Sequence, residues 1–564
     1  MKILVSLRHL HISYTVQVPD EIGCLTSLRT LQIFEVGTNR RWGIGQLGCL
    51  SELGGKLAIS SLQNVRNKEE AQGTKMWEKK KLQKLECQCK SGRNGSRNDE
   101  EVLEGLEPHS NLKSLTIWNY NAENNPSWLV RKSVSGPSAN SFQPIINLVE
   151  LNLFYCENLK NLPTLGQNPN LRFLRIRDLY NVRCIGNEFY MNNNSCDSGD
   201  EKKPITLFPA SEKFSLVDLK EVKEWLDIEP GVPTFPSLKK LEIVGCDKLS
   251  SVPVMSRLSS LEILTIAFCG GLSLIGDGLF PSSLKNLAIQ ECRKLSSIPS
   301  VEGGISFLQE LRVKGCDELS KIEEGQIAST CLRDVYIWKC PKLTSIPSID
   351  GCCSFLSLSL DGCEGLTSLP SGLGTCTSLR DLYISNCTNL KSIPEDVCQL
   401  QSLLNLYIRY CENLKSIPEG SLGCLTRLKT LELGPFSEEL EEFPGLGSIH
   451  HLHSSLENLI LVGWEKLSSL PDQLQQLTAP DELWIWNFSG VKALPEWLGN
   501  LSSLRSLYIC DCENLGHLPY KEAMQRLSIL KQLSIVGCPR LKGNFAEQSK
   551  ISHIPNICGD IFGV

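Results

Sequence analysis

The strongest constraint on this chain is a short segment that returns along it at nearly constant spacing. Residues 403–418 read LLNLYIRYCENLKSIP, residues 379–394 read LRDLYISNCTNLKSIP, and residues 284–299 read LKNLAIQECRKLSSIP. The shared pattern is L-x-x-L-x-I-x-x-C-x-x-L-x-x-I-P. Because a segment this short cannot enclose a core of its own, its copies must stack on one another.

Copies of this pattern, here called frames, cover almost the whole chain, from Leu7 to Leu541. Regular frames follow one another at spacings of 23 or 24 residues and begin at residues 238, 261, 284, 308, 332, 355, 379 and 403. Further copies begin at 428, 456, 480, 504 and 530. Looser copies begin at 7, 28, 54, 82, 112, 148, 171 and 211, which gives 21 frames in all.

Each part of the frame has a structural reason. The stretch L-x-L-x-I alternates as a strand does, with apolar side chains inward and variable ones outward. Stacked copies give a parallel sheet and a continuous core. A spacing near 24 residues leaves no room for a full helix with two loops. The pattern therefore predicts an α/β leucine-rich-repeat solenoid (horseshoe) with a parallel β-sheet on the concave face and mostly short turns and 3₁₀ segments on the convex face.

The ninth position of the frame is a cysteine in eleven copies, where leucine-rich repeats carry Asn or Cys. These residues are Cys156, Cys246, Cys269, Cys292, Cys316, Cys340, Cys363, Cys387, Cys411, Cys512 and Cys538. We expect them to be small buried hydrophobic residues at a tight bend. The total of 25 cysteines is odd, and with no signal peptide visible this favours reduced thiols over a disulfide framework.

Two interruptions of the period suggest how the chain is divided. The stretches 124–144 and 191–203 are polar and fall in gaps of 36 and 40 residues between frames. Both are predicted to be loops that project from the solenoid. The predicted division is N-terminal irregular leucine-rich repeats over 1–180, an irregular repeat with a polar insertion over 181–236, and regular repeats with a C-terminal cap over 237–564.

A third irregular stretch, 66–81, contains the longest basic run of the chain. We expect a short exposed helix there. Lys79, Lys80 and Lys81 should lie on its solvated side.

Composition and motifs exclude several functions. The net charge of −6 and the pI near 5.9 argue against nucleic-acid binding, which needs a basic face. No window of about eighteen apolar residues predicts a membrane span. The expected location is cytoplasmic or nucleo-cytoplasmic. Phosphate-binding, nucleophile-elbow and zinc-protease motifs are missing, so we expect no enzyme activity, no metal and no cofactor.

Two clusters of polar residues invite a functional interpretation. His450, His451 and His453 could form a metal site or a pH-sensitive patch, but no Cys or acid stands nearby at ligand spacing. Glu438, Glu439, Glu441 and Glu442 could dock a basic partner. We interpret both clusters as polar, solvated loop.

The outward positions of the strand are the third, fifth, seventh and eighth of each frame. From the frame at 332 onward, large aromatic residues recur at these positions. They are Tyr336, Trp338, Tyr383, Tyr407, Tyr410, Trp484, Trp486 and Tyr508. Aromatic side chains on a rigid sheet are the type that dominates binding energy, so these residues are the candidate protein-binding surface. The alternative is that exposed strand positions simply favour aromatic residues.

Several segments resemble the leucine-rich-repeat region of plant intracellular immune receptors of the coiled-coil, nucleotide-binding, leucine-rich-repeat class (NLR disease-resistance proteins). LVSLRHLHIS and VPDEIGCLTSLRTLQIFEVG (18–37) are similar to the family's first repeats. The block 44–86 matches a characteristic family segment closely. VRCIGNEFY (182–190) precedes the usual insertion, and GCPRLKGNFAEQSKISHIPNI (537–557) resembles the terminal cap.

The resemblance implies a function that periodicity cannot supply. In that family this region recognises pathogen effectors, directly or through a guarded host protein, and packs on the nucleotide-binding domain to keep it inactive. The expected partners are therefore an effector or guarded host protein and, in a full-length receptor, a nucleotide-binding domain. The chain carries no coiled-coil or nucleotide-binding domain, so recognition rather than nucleotide exchange is the expected role.

Two other classes of protein also use leucine-rich repeats. An extracellular receptor or inhibitor would carry L-x-G-x-I-P with paired cysteine caps, whereas this chain reads C-x-x-L-x-x-I-P. A substrate adaptor of a ubiquitin ligase would need an F-box-like helical segment, and none precedes Leu7. Glycosylated, disulfide-bonded protein outside the cell would favour the first alternative.

Overall fold

The computed structural model describes residues 4–12, 21–89, 98–130, 145–191, 205–228, 231–276, 279–301, 307–323 and 330–559. The chain forms two compact units, Met1–Leu284 and Lys285–Val564. Each unit is built from the same repeating strand.

The first unit contains strands β1 to β16 and helices α1 to α4. The strands are β1 (His9–Leu10), β2 (Thr30–Leu31), β3 (Ile33–Glu35), β4 (Gly54–Ser60), β5 (Lys81–Gln88), β6 (Ser114–Trp118), β7 (Glu150–Phe154), β8 (Phe173–Arg177), β9 (Cys184–Ile185), β10 (Lys213–Val217), β11 (Glu224–Trp225), β12 (Lys240–Val244), β13 (Ser251–Val252), β14 (Ile263–Ala267), β15 (Leu274–Ile275) and β16 (Leu279–Phe280). The helices are α1 (Lys68–Gln72), α2 (Asp99–Gly105), α3 (Ser127–Val130) and α4 (Asn187–Tyr190).

The second unit contains strands β17 to β31 and helices α5 and α6. The strands are β17 (Asn286–Gln290), β18 (Ser297–Ile298), β19 (Ser300–Val301), β20 (Glu310–Lys314), β21 (Lys321–Ile322), β22 (Asp334–Trp338), β23 (Ser357–Asp361), β24 (Asp381–Ser385), β25 (Asn405–Arg409), β26 (Thr430–Leu433), β27 (Asn458–Val462), β28 (Glu482–Trp486), β29 (Ser506–Cys510), β30 (Gln532–Val536) and β31 (Asn556–Gly559). The helices are α5 (Lys521–Arg526) and α6 (Phe545–Ile551).

The main strands pair in parallel with the register that the repeat predicts. In the regular frames the strand occupies the third to seventh positions, and equivalent positions lie opposite one another. Tyr383 in β24, for example, is opposite Tyr407 in β25. The fourth and sixth positions are buried, as in Leu382 and Ile384. The predicted leucine-rich-repeat fold with a parallel sheet is therefore confirmed.

The residue at the eighth position of the frame forms the bend after the strand. The sequence predicted a tight bend here but not its backbone conformation. In sixteen frames this residue has a positive φ, so the chain turns directly after the strand. Asn, Asp and Gly suit this left-handed conformation, and several frames carry them. At Gly245 (φ 69) a Cβ would also come within 2.4 Å of the Asp218 carboxylate. Tyr155, Phe268 and Tyr410 adopt the same conformation with φ 57, 54 and 52, although bulky residues do so only at a cost.

The ninth-position cysteines close this bend. All eleven are buried, as predicted, and each thiol donates to the carbonyl of the seventh position in its own frame. The Sγ of Cys411, for instance, lies 3.4 Å from the Arg409 carbonyl oxygen. Burial raises the pKa of the Cys156 and Cys411 thiols to about 12, so these thiols remain protonated at neutral pH.

The return path consists mainly of short 3₁₀ segments and turns, as the spacing predicts. The 3₁₀ segments include Ile44–Cys49, Met255–Arg257, Leu373–Thr375, Glu395–Gln399, Asp472–Gln476 and Glu496–Asn500. The sequence did not predict a second, minor set of parallel ladders just before the frame's proline. Ser251–Val252 pairs with Leu274–Ile275, and Ser297–Ile298 pairs with Lys321–Ile322.

The basic run at 79–81 corrects one prediction. The helix of this stretch, α1, ends at Gln72, and a separate 3₁₀ turn covers Met76–Glu78. Lys79 is buried rather than solvated, and its Nζ donates to the carbonyls of Leu47 at 2.8 Å and Leu50 at 2.9 Å. Leu47 lies in the neighbouring 3₁₀ segment Ile44–Cys49, and Leu50 caps that segment.

The frame assigned at 28 is regular only in its first half. Thr30 and Leu31 pair with β1 in the predicted register. The chain then gains one residue, so that Ile33 rather than Gln32 lies opposite Ala58. A single inserted residue is a β-bulge, and it places Phe34 in the core, opposite Ile59.

The predicted loops fall largely outside the described residues. This holds for 131–144 of the first stretch and for 192–203 of the second. The repeat beside the second stretch has an aromatic core, in which Trp225 Nε1 donates to the Tyr190 hydroxyl at 2.6 Å. Rings of Phe208 and Phe235 stack there with centroids 4.3 Å apart.

A helical cap covers the last regular repeat. Glu547 of α6 is buried and accepts a hydrogen bond from the Leu518 amide at 2.8 Å. Lys550 donates to the Leu518 carbonyl and forms an ion pair with Glu547 at 2.9 Å. The chain then adds β31, which pairs with β30 in parallel. This final strand lay beyond the frames counted from the sequence.

Candidate protein-binding face

The outward side chains of the second unit's sheet form the candidate site, and we call it the aromatic face. It comprises the third, fifth, seventh and eighth positions of strands β22 to β30. Tyr336, Tyr383, Tyr407, Trp484 and Tyr508 occupy the fifth position and are half-buried. Trp338, Tyr410 and Trp486 are more exposed, at 37%, 36% and 39%. All eight predicted residues therefore lie on one side of this sheet.

The fifth positions form one continuous row, because the strands are in register. The order from β22 to β29 is Tyr336, Ser359, Tyr383, Tyr407, Glu432, Ile460, Trp484 and Tyr508. The structure brings the aromatic residues together as pairs of rings rather than as one stack, since Ser359, Glu432 and Ile460 separate them.

The centre of the row is a polar network around Arg409. The Tyr383 and Tyr407 rings lie 5.7 Å apart. The Arg409 guanidinium lies over the Tyr383 ring, 5.0 Å from its centroid, and donates to the Tyr383 hydroxyl. It also donates to the Ser385 hydroxyl at 3.3 Å and to the Glu432 carboxylate at 3.3 Å. This network fixes the orientation of the tyrosine.

Electrostatics in this network follow from burial. Glu432 is only 6% exposed, and Arg409 is its cationic partner. Burial lowers the pKa of Arg409, but the Glu432 and Tyr383 groups outweigh that effect and leave it raised. Burial, together with the Glu432 and Asp381 carboxylates, raises the pKa of Tyr407. Tyr407 therefore presents a neutral hydroxyl group at physiological pH.

The second ring pair lies further along the sheet. Trp484 and Tyr508 stack with centroids 3.7 Å apart and planes 12° from parallel. Next to them, Trp486 donates from Nε1 to the Asp511 carboxylate at 2.8 Å. Flat rings locked in this way cost little entropy when a partner binds.

The third pair lies at the other end of the row. Tyr336 and Trp338 meet edge to face at 5.7 Å, and Trp338 Nε1 donates to the Ser359 hydroxyl at 2.9 Å. Arg312 lies over the Tyr336 ring at 5.2 Å. Burial and the Glu310 carboxylate raise the pKa of Asp334 on the same strand as Tyr336.

Sequence reasoning missed a second aromatic cluster, in the first unit. Trp118 and Phe154 occupy the seventh positions of β6 and β7, with ring centroids 4.5 Å apart. Tyr155, at the eighth position, stacks on Trp118 at 6.1 Å and is 38% exposed. The rule used for the later frames, applied to those at 112 and 148, would have found them.

The three histidines of the cluster lie in and directly after a 3₁₀ segment that follows β26. His450 and His451 lie in the 3₁₀ segment Leu446–Leu452, with ring centroids 4.1 Å apart, and His453 contacts the His450 carbonyl at 3.0 Å. Over the described part of the chain, no group of three or more His, Cys, Asp or Glu residues is arranged to hold a metal ion. None of the helices in that part is long and apolar enough to cross a bilayer.

The acidic run lies away from the aromatic face. Glu438, Glu439, Glu441 and Glu442 follow β26 and are exposed. Glu439 forms an ion pair with Lys415 at 2.7 Å. Glu441 and Glu442 line a polar pocket with Asp472. Their exposure agrees with the interpretation of a solvated loop.

A family model for leucine-rich repeats of the R13L1/DRL21 type matches residues 44–179 and 470–538. Among curated proteins, the chain is 31% identical to putative disease resistance RPP13-like protein 1 of Arabidopsis thaliana over 42% of this chain and 22% of that protein. It is 27% identical to putative disease resistance protein RGA1 of Solanum bulbocastanum over 44% of this chain and 22% of that protein. The matched stretch thus spans about a fifth of each relative.

Solved structures are more distant. The TLR13 structure in complex with ssRNA13 is 15% identical, with a TM-score of 0.42 over 95% of this chain and 85% of that chain. The leucine-rich repeat domain of the type III effector XopL is 17% identical, with a TM-score of 0.28 over 50% of this chain and 70% of that chain. The sequence relatives carry more weight than these structures. The chain therefore carries leucine-rich repeats, which over residues 44–179 and 470–538 are similar to those of the R13L1/DRL21 type, and over less than half of its length it is similar to plant disease resistance proteins.

Proposed function

We propose that this chain is a protein-recognition module of plant innate immunity, which binds a pathogen effector or a guarded host protein on its aromatic face. The relatives support the role in disease resistance. The observation that carries the choice of surface is the row of half-buried rings fixed in pairs on a parallel sheet. Rings in this setting supply most of the binding energy in protein interfaces.

A recognition role also fits the chemistry of the site. The Arg409–Tyr383–Glu432 network holds side chains in place and leaves no group activated for nucleophilic attack. The Cys411 thiol beside it is buried and protonated, so it cannot act as a nucleophile at neutral pH. Binding is therefore the function that this arrangement supports best. We propose an intracellular location, as for NLR proteins.

The resemblance to NLR proteins supports a second element of the proposal. In a full-length receptor, this region would also pack on the nucleotide-binding domain and hold it inactive. Co-purification of the chain with the nucleotide-binding region of an NLR relative is expected. Failure to form that complex would remove the autoinhibitory role and leave recognition standing.

The recognition role is tested by direct binding. Purified chain is immobilised and screened by biolayer interferometry against purified secreted proteins of plant pathogens and candidate host proteins. Each protein that binds is measured again on the Y383A/Y407A/W484A variant, whose circular dichroism should match the wild type. A partner that binds the variant as tightly as the wild type would exclude the aromatic face as its docking site.

Two further experiments separate the alternative classes. An extracellular receptor or inhibitor should be recovered from plant tissue with glycans and disulfides, whereas we expect free thiols. A ubiquitin-ligase adaptor should co-purify with ligase subunits when expressed in plant cells. Either result would replace the immune-recognition proposal.

A further inference from the structure

The aromatic face carries an unbalanced charge. On strands β23 to β30 and the bends that follow them, the outward positions hold five acidic side chains and one basic side chain. The acidic residues are Asp361, Asp381, Glu432, Glu482 and Asp511, and the basic residue is Arg409. Charge of one sign on a surface attracts a partner of the opposite sign.

Internal contacts leave most of this negative charge uncompensated. Asp361 accepts a hydrogen bond from the Asn386 amide at 2.9 Å, and Asp381 accepts one from the Asn405 amide at 2.6 Å. Asp511 accepts from the indole of Trp486. These donors are neutral, so they orient the carboxylates without cancelling their charge. Among contacts within the described part of the chain, Glu432 alone of these five has a cation as its partner, namely Arg409.

Cation–π contacts already occur on the same sheet. Arg312 covers Tyr336, and Arg409 covers Tyr383. Over the described residues, neither Trp484 nor Tyr508 has a cation on its ring. Tyr508 has Trp484 on one side, and its neighbour in register on the other side is Ser534, whose side chain is too short to cover a ring.

We propose that the partner of the aromatic face is a basic protein segment, whose arginine or lysine side chains lie on the Trp484–Tyr508 rings between the carboxylates of Glu482 and Asp511. This inference rests on the proposed function and specifies the chemistry of its partner. Arginine suits the site best, since its planar guanidinium stacks on aromatic rings and pairs with carboxylates at the same time. Nearby, Val536 is 45% exposed and offers apolar contact to the stem of such a side chain.

The test uses a defined probe rather than an unknown partner. A fluorescein-labelled peptide of six Arg–Gly repeats is titrated with the full chain by fluorescence anisotropy at low and at physiological salt. A matched peptide carries citrulline in place of arginine, which keeps the shape and removes the charge. We expect the citrulline peptide to bind at least about tenfold more weakly, and salt to weaken the arginine peptide.

Two triple variants separate a specific site from bulk charge. D381N/E482Q/D511N removes three carboxylates from the aromatic face and keeps their hydrogen-bond acceptors. E439Q/E441Q/E442Q removes the same charge from the exposed acidic run after β26. The first variant should weaken the arginine peptide at least about tenfold, and the second by no more than about twofold. Thermal unfolding of both variants checks that the fold is retained.

Three results would overturn the inference: equal weakening by both variants, equal affinity of the citrulline peptide, or no binding of the arginine peptide at low salt. The inference can also fail while the proposed function stands. If a natural partner is lost in Y383A/Y407A/W484A but still binds D381N/E482Q/D511N normally, the aromatic face is the site and its partner is not basic.

Discussion

The two units share one backbone plan and present different surfaces on it. In the first unit the fifth positions of β5 to β14 are Glu86, Thr116, Asn152, Arg175, Ser215, Glu242 and Thr265. In the second unit the same position is mostly aromatic from β22 onward. The inward leucines are alike in both units. The core thus sets the fold, while the outward positions remain free to define a site.

The outward faces of the two units differ in net charge as clearly as they differ in aromatic content. The outward positions of β5 to β14, with the bends that follow them, hold five acidic and five basic side chains. Many of these pair with one another: Arg175 with Glu150 at 3.0 Å, and Lys240 with Glu242 at 2.8 Å. A sheet whose charges are satisfied internally offers less to a charged partner than one with a net negative charge.

The largest expected effect tests this contrast directly. Y383A/Y407A/W484A in the second unit should weaken partner binding at least about 100-fold, because buried aromatic anchors each contribute about 2 kcal/mol or more. T116A/N152A/S215A, at the same frame position in the first unit, should change the affinity less than about threefold. Biolayer interferometry measures both. An equal loss of affinity in the two variants would mean that the partner does not distinguish the second unit's face from the first unit's face.

The next effect concerns stability. R409A leaves the Glu432 carboxylate buried without its cation, so the free energy of unfolding should fall by about 2–4 kcal/mol. R175A breaks the pair with Glu150, in which the arginine side chain is 42% exposed, and should cost less than about 1 kcal/mol. Urea unfolding monitored by circular dichroism measures both. A similar loss in the two variants would show that burial does not distinguish these pairs.

A buried charge in the first unit predicts a pH dependence. Burial lowers the pKa of Lys79 to about 8, whereas in the unfolded chain it lies near 10.5. Below pH 8 both states are protonated and the full cost of burying the charge is present. As the pH rises from 8 towards 10, the folded state loses its proton first, so stability should rise by roughly 1–3 kcal/mol.

The K79M variant isolates this contribution. The difference in unfolding free energy between wild type and K79M should shift in favour of the wild type between pH 8 and 10. K80M changes an exposed neighbour and serves as the control. If the unfolding free energies of the wild type and K79M change by the same amount between pH 8 and 10, Lys79 does not titrate as its burial predicts.

The smallest effect concerns the bend. Tyr410 and Phe268 both hold a positive φ at the eighth position, so Y410G and F268G should each raise stability by about 0.5–1 kcal/mol. Only Y410G should weaken partner binding, because Tyr410 belongs to the aromatic face. Thermal unfolding and binding of the same two variants check this. Destabilisation of both variants would show that side-chain packing outweighs backbone strain.

Much of the fold could be predicted because the same residue pattern recurs in many frames. Each regular frame placed its strand at the third to seventh positions, and the ninth-position cysteines are buried as expected. The eight aromatic candidates share one side of the sheet for the same reason, since alternation fixes which residues face outward. Whether they bind a partner remains a prediction.

Errors occurred where the period was weak or where contacts crossed frames. The extra residue in β2–β3 does not show in a loose copy of the pattern. Lys79 looked solvated beside Lys80 and Lys81, yet it is buried against carbonyls about thirty residues earlier in the chain. A single sequence window carries no information about such a contact.

By itself, the sequence determined the repeat, the inward leucines, the parallel order of the strands and the residues displayed outward, because periodic burial leaves few other ways to fold. Only the tertiary structure decided which of the displayed residues interact. Arg409 finds both Tyr383 and Glu432 because neighbouring frames bring residues from three strands together. Which side chains pair across strands depends on the register of the strands and on how far each side chain extends. The sequence of a single frame specifies neither.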